Sequence, residues 1–279
     1  MSRVNLYIHY ESVTNHIMTR GINLIHEDFE PRNLPSNMIL AQAPSEVGRF
    51  DAQTNFKILR NQVEVAKYFE ACSNAEMRMA NWIDFENVES MHQLTANEIA
   101  EILYLFHANK GLKSAFFYKL QNNFVFLTLP NGLLKVFYRF VTHFYPRFQR
   151  VVHTRMTELV NESRSLFFMR KEKVKPLPLN IVEQMAPLFS SGLKINFVQA
   201  IQTGTFWKVP LNIIEDELTL LTLDQLPHER IGYLIYDTNA QRWSLELTMI
   251  DEFDEMQRLD DLDEIDLREQ SVMQRSEDV

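Results

Sequence analysis

The sequence predicts an α+β protein: antiparallel sheets with helices packed on one face, and an internal helix-strand-strand duplication. Three observations lead there. Residues Leu94 to Phe140 read as a capped helix feeding a three-stranded antiparallel meander. Near the far end, Trp243, Leu245, Leu247 and Met249 alternate with Ser244, Glu246 and Thr248, the pattern of a sheet wet on one face. Two segments, beginning at Asn97 and Asn180, also share a register that periodicity alone does not demand.

In chain order, VNLYIHY at residues 4 to 10 alternates as a short strand, and Ser12 to Arg20 reads as a short helix stopped by Gly21. Pro31, Pro35, Pro44 and Gly48 mark residues 28 to 50 as loop or linker and place a boundary there. Thr54 to Ala71 carries Phe56, Leu59, Val63, Ala66 and Phe69 near helical spacing, and Ala80 to Phe85 reads as a strand ahead of Glu86 to Met91. Thr95 and Glu98 form a capping box, in which hydroxyl and carboxylate each satisfy an amide that the first helical turn leaves unbonded; the helix ends near Gly111. LKSAFFYKL, FVFLTL and LLKVFYRF follow as strands, turning at Gln121 to Asn123 and at Pro130, Asn131 and Gly132.

Tyr145 to Glu162 suits an amphipathic helix with Pro146 in its first turn, where a missing amide costs little. Ser165 to Met169 reads as a strand, and KEKVKPLPLN as a second boundary. Ile181 to Phe189 is helical in pattern, Leu193 to Ile201 and Phe206 to Ile213 are strands, and Ile231 to Asp237 pairs with Trp243 to Met249 across a turn at Thr238 to Gln241. The expected units are a small N-terminal one with its linker (residues 1–50), a first α+β domain (51–175), a second α+β unit (176–250) and an acidic tail (251–279).

The duplication aligns Leu105 and Phe106 with Leu188 and Phe189, Gly111-Leu112-Lys113 with Gly192-Leu193-Lys194, Phe116 with Phe197, and Gln121 with Gln202. Any two helix-to-strand units share apolar spacing, so the weight rests on the common GLK and the final Gln.

Composition narrows the function classes. With 46% apolar residues and 20 Phe the body is globular, and seven Gly is few for a protein built on phosphate-cradling loops. Cys72 is the only cysteine, which excludes an intrachain disulfide and a Cys-based zinc site and fits a reducing cytosol. The start, MSRVNLYIHYESV, lacks the apolar core of a signal peptide, and no apolar run is long enough to span a bilayer. A cytoplasmic, soluble protein is expected, with no membrane partner. The histidines are scattered without metal-ligand spacing, and no nucleophile elbow, Walker loop or dinucleotide fingerprint occurs. The expectation is therefore a chain with no catalytic residues, no metal and no cofactor.

Two charged stretches remain. Between Lys135 and Lys175 there are ten Lys and Arg against three Glu, interleaved with Phe137, Tyr138, Phe140, Phe144, Tyr145 and Phe148. Such a stretch suits single-stranded nucleic acid, a docking surface for an acidic protein, or a helix whose aromatics face the core. The net charge of −9 sits in the tail, where twelve carboxylates stand against three arginines from Asp251 onward. Met256, Leu259, Leu262 and Ile265 recur there at every third residue, a thin stripe on a helix that orders against a basic surface, or part of a solubilising end.

WIDFENVESM from Trp82, SAFFYKLQNNFVFLTL from Ser114 and the helical RMTELVN from Arg155 together resemble the C-terminal domain of the MecA adaptor family, over residues 81 to 170. Arg20 and Gly21 near the beginning faintly resemble its N-terminal domain. The second unit and the acidic tail have no counterpart in it. The resemblance implies a non-enzymatic adaptor that presents protein substrates to a Clp-type AAA+ unfoldase, with Tyr118, Phe124 and Phe126 as hairpin core and Gln121, Asn122 and Asn123 as partner contacts. Arg147, Arg150 and Arg155 of the basic stretch, with Met256, Leu259, Leu262 and Ile265, complete the expected partner-binding set. The alternative function is nucleic-acid binding through residues 135 to 175.

Overall fold

The computed structural model describes residues 3–28, 34–129, 132–166, 171–214 and 229–248. The chain opens with strands β1 (Leu6–Glu11), β2 (His16–Arg20), β3 (Asn37–Ala41), β4 (Arg49–Phe50) and β5 (Lys57–Arg60). Helix α1 (Gln62–Ser73), strand β6 (Asn81–Phe85) and helices α2 (Val88–His92) and α3 (Ala96–Ala108) follow, then the hairpin β7 (Phe124–Thr128) and β8 (Leu134–Tyr138). Helices α4 (Tyr145–Leu166) and α5 (Leu179–Met185) lead into β9 (Leu193–Ile195), β10 (Ile201–Thr203), β11 (Phe206–Ile213), β12 (Glu229–Asp237) and β13 (Arg242–Leu247).

All these strands join one sheet, in the order β13-β12-β11-β9-β1-β2-β8-β7-β6-β3-β5-β4, with β10 also alongside β11. Every pairing is antiparallel. The class is α+β, as the sequence predicts. The sheet runs without a break across the boundaries placed at residues 50 and 175, and β1 and β2 sit in its middle, between β9 and β8.

The helices occupy both faces of the sheet, a correction to the one-faced packing expected from the sequence. Along β3, Met38 and Leu40 join the core beneath α1, α4 and α5, while the intervening Ile39 joins a second core beneath α2 and α3. Strands β6 and β7 behave likewise: Trp82, Phe124 and Phe126 face the first core, and Ile83, Val125 and Leu127 the second. Burial on both sides explains why WI and FVFL are continuous apolar runs. In β13 only one side is buried, so Trp243 packs inward while Arg242, Ser244 and Glu246 are exposed.

Local signals place α3 as expected. Glu98 N–H donates to Thr95 Oγ1 at 3.3 Å, and Thr95 N–H donates to Glu98 Oε2 at 2.7 Å. The helix stops at Asn109, which adopts the left-handed conformation, ahead of the expected Gly111. Loss of the cap in Thr95→Ala is expected to cost about 1 kcal/mol of stability. Chemical denaturation measures it, and an unchanged midpoint would mean that tertiary packing alone sets the start of α3.

Four further expectations are corrected, the first being that residues 28 to 50 are loop or linker, since they contain β3 and β4. Ser12 to Arg20 is a turn through Asn15, at positive φ, followed by β2 and not a helix. Thr54 to Ala71 divides into β5 and α1, because the Asn61 side chain accepts from Val63 N and Glu64 N and starts the helix there. LKSAFFYKL forms turns and not a strand: the buried Asn122 side chain accepts from Phe117 N and donates to Ala115 O, satisfying groups that a neighbouring strand would otherwise bond. The meander therefore reduces to the β7–β8 hairpin beside β6.

The duplication fails on the same ground. Its first half lacks the strand after the helix, its second half keeps only β9 before a 3-10 turn at Phe197–Gln199, and Phe116 and Phe197 belong to cores on opposite faces. Leu166, expected in a strand, continues α4. Pro130 and Asn131 of the expected turn, residues 167–169 of the expected strand Ser165 to Met169, Met249 of the last strand and the whole acidic tail lie outside the described residues.

Candidate partner-binding cleft

Where the β6–β7 ladder ends, the sheet opens into a cleft of about 640 Å³. Its floor comes from the end of β6 and the start of β7, with Asp84, Phe85 and Phe124. One lip carries Tyr118, Gln121 and Asn123, a second carries Arg139, Phe140 and His143 after β8, and Leu34 to Ser36 with Gln62 closes the far side.

Asp84 organises the floor. The β6–β7 register runs Trp82 to Phe126 and Ile83 to Val125 and then stops, so the backbone amides that follow need another acceptor. The Asp84 carboxylate supplies it. Its Oδ1 accepts from Asn123 N at 2.9 Å and from Phe124 N at 2.7 Å, and its Oδ2 accepts from Asn123 N at 3.0 Å. Burial pushes this carboxyl up to about 7, against the opposing pull of those amides and of the Arg139 guanidinium.

The second lip is held in the same economical way. Arg139 Nε donates to Asn122 O at 2.7 Å, and the guanidinium lies 4.9 Å from the centre of the Phe116 ring. His143 packs against Phe140 and Phe124, with centroid distances of 5.5 and 5.7 Å. Burial pushes its imidazole below its ordinary value, and the charge of Arg147 adds to that. Its buried Nδ1 has no hydrogen-bond partner among the described residues. Two aromatic rings stand out from these lips, Tyr118 at 92% exposure and Phe140 at 54%.

The expected contact residues divide. Gln121 and Asn123 line the cleft, Gln121 in the left-handed conformation. Asn122, expected to meet a partner, is 0% exposed and braces the turn from within. Arg147 is corrected most sharply: it is 1% exposed, donates to the Tyr138 hydroxyl at 2.7 Å, and lies over the rings of Phe124 and Tyr138. Arg150 forks onto Asp28 at 2.7 and 2.9 Å and also donates to Asn23 O, while Arg155 pairs with Glu158 at 2.9 Å. Tyr118, expected in the hairpin core, is exposed, whereas Phe124 and Phe126 are buried as the resemblance implies. Met256, Leu259, Leu262 and Ile265 lie outside the described residues.

Sequence reasoning missed Asp84 and His143, and met Arg139 only as one base of the stretch from Lys135 to Lys175. The one signal for Asp84 was an acid inside the apolar run WIDF, where an unpaired charge would be costly. Among the described residues, no three His, Cys, Asp or Glu side chains gather as metal ligands, and no helix is long and apolar enough to cross a membrane. Comparison of the chain with family models, curated proteins and solved structures finds no match.

Proposed function

We propose that the chain is a non-catalytic protein-binding adaptor that grips a partner segment in the cleft between Tyr118 and Phe140. The exposure of these two rings at the mouth of a concave surface carries this reading. Aromatic side chains that lose water on contact supply much of the energy of protein interfaces, and Gln121 and Arg139 beside them offer hydrogen bonds to a partner backbone. Asp84 serves the fold here, since its lone pairs are taken by amides of the chain itself.

The resemblance of residues 81 to 170 to MecA-type adaptors directs the reading toward a Clp-type AAA+ unfoldase and its substrates. A nucleic-acid surface over residues 135 to 175 is the weaker alternative, because Arg150 and Arg155 would first have to leave Asp28 and Glu158, and Arg147 would have to leave the core.

The test titrates the labelled full chain with a Clp-type unfoldase and compares it with Tyr118→Ala/Phe140→Ala. Saturable binding that the double substitution weakens by about tenfold or more is expected, with the circular dichroism spectrum unchanged. Affinity indifferent to the two rings would overturn the cleft as the site, and absence of binding would overturn the unfoldase as the partner.

A further inference from the structure

We propose that β13 is a self-pairing edge, through which two copies of this chain join their sheets antiparallel about a twofold axis at Ser244. The two ends of the sheet differ in kind. Strand β4 closes one end with only two residues, a length that blunts an edge against further pairing. Strand β13 closes the other with six residues, and no strand lies beyond it among the described residues.

The hydrogen-bond phase of β13 follows from its neighbour. Thr248 N donates to Ile231 O at 2.8 Å, which makes 231 and 248 a hydrogen-bonded pair. Antiparallel pairs alternate, so the backbone groups of Glu246, Ser244 and Arg242 also turn toward β12, opposite Tyr233, Ile235 and Asp237. Those of Trp243, Leu245 and Leu247 therefore point outward, where no strand among the described residues pairs with them.

A second copy answers that edge residue for residue. With the axis at Ser244, Trp243 of one copy meets Leu245 of the other, and their outward amides and carbonyls form hydrogen-bonded pairs. Ser244 meets itself at a non-hydrogen-bonded position. On the exposed face, Arg242 meets Glu246 twice, so the two charges that would deter an unrelated strand become complementary. On the opposite face α5 packs against β13, and its first residue, Leu179, is 49% exposed; the pairing brings apolar surface of both copies together there. An isologous contact of this kind closes as a dimer and leaves β13 with no free edge.

Sedimentation of the full chain at tens of micromolar is expected to give a dimer. Arg242→Glu places like charges opposite each other twice and should weaken it about tenfold, and Arg242→Glu/Glu246→Arg should restore it, less what is lost with the Lys208–Glu246 contact within each chain. In a Cys72→Ser background, Ser244→Cys should oxidise to a covalent dimer that reductant reverses, because the facing Cα atoms lie within disulfide range. Ser244 is exposed, so this variant reports the register even if a charge variant misfolds. A monomer, a dimer indifferent to Arg242→Glu, or failure of Ser244→Cys to cross-link would each overturn the proposal.

Discussion

Unfolding of a Trp82→Ala variant is expected to require about 3–5 kcal/mol less free energy than unfolding of the parent chain. Trp82 is fully buried on β6 and joins helix α1 to strand β7 through its ring contacts. It meets Phe69 of α1 edge-on at 5.7 Å, stacks on Phe126 of β7 at 5.7 Å with 14° between planes, and meets Phe124 at 6.4 Å. Removing the indole deletes its transfer free energy and leaves a hole that aromatic rings held by α1 and β7 cannot close. Trp82→Phe should cost less, because part of the stack survives. Equilibrium urea denaturation of both variants decides the matter, and a loss below about 1 kcal/mol for alanine would show that the aromatic cluster can relax around the gap.

Across the range from about pH 4 to about pH 7, Asp84 is expected to make the fold less stable as pH rises, by up to about 4 kcal/mol. In the unfolded chain it ionises at an ordinary 3.8, and in the folded chain at about 7. Between those values the folded protein holds a proton that the unfolded chain has lost. The contribution is therefore complete below 3.8 and is lost as pH rises through about 7. Asp84→Asn removes the ionisation while keeping the geometry, since Asp84 Oδ1 alone already accepts from both Asn123 N and Phe124 N. The variant should be more stable than the parent above neutral pH, and the difference should vanish toward acid. Other carboxylates titrate in both proteins, so the difference between the two stability curves is the quantity to read. Parallel curves, or a less stable variant at pH ~8, would show that the amides and Arg139 outweigh burial at this site.

What could be read from the sequence was what short-range chemistry decides. Thr95 and Glu98 bond each other's backbone within one helical turn, so the start of α3 was visible without knowing its surroundings. The β12–β13 hairpin was visible because polar and apolar residues alternate on a sheet with one wet face. The stretch from Leu112 to Leu120 misled because its apolar spacing suits a strand, while Phe117 N and Ala115 O are both bonded by one side chain, Asn122, whose role no periodicity announces. Arg147 misled for a similar reason. Its position in a basic, aromatic stretch suggested a surface, but the rings of Phe124 and Tyr138 that enclose it come from strands placed by the rest of the sheet. The cleft itself depends on where the β6–β7 ladder stops, a fact of register and not of local composition.

The place of β1 and β2 in the middle of the sheet also fixes an order of events during synthesis. The hairpin can close on itself as soon as it emerges, but its neighbours arrive much later: β8 first, and β9 only when Leu193 reaches Ile8. Bringing those two residues together closes a loop that spans most of the chain, at an entropic cost of about 5 kcal/mol before any contact repays it. Until β8 emerges a nascent chain carries a ribbon open along both sides, and until β9 arrives one still open along β1, the kind of surface that holdase chaperones cover and that neighbouring polypeptides on a polysome can capture. Strand β1, made long before its partner β9, is thus among the last to be sealed, and the yield of native protein depends on how long the translation machinery and its attendants keep that ribbon apart from others.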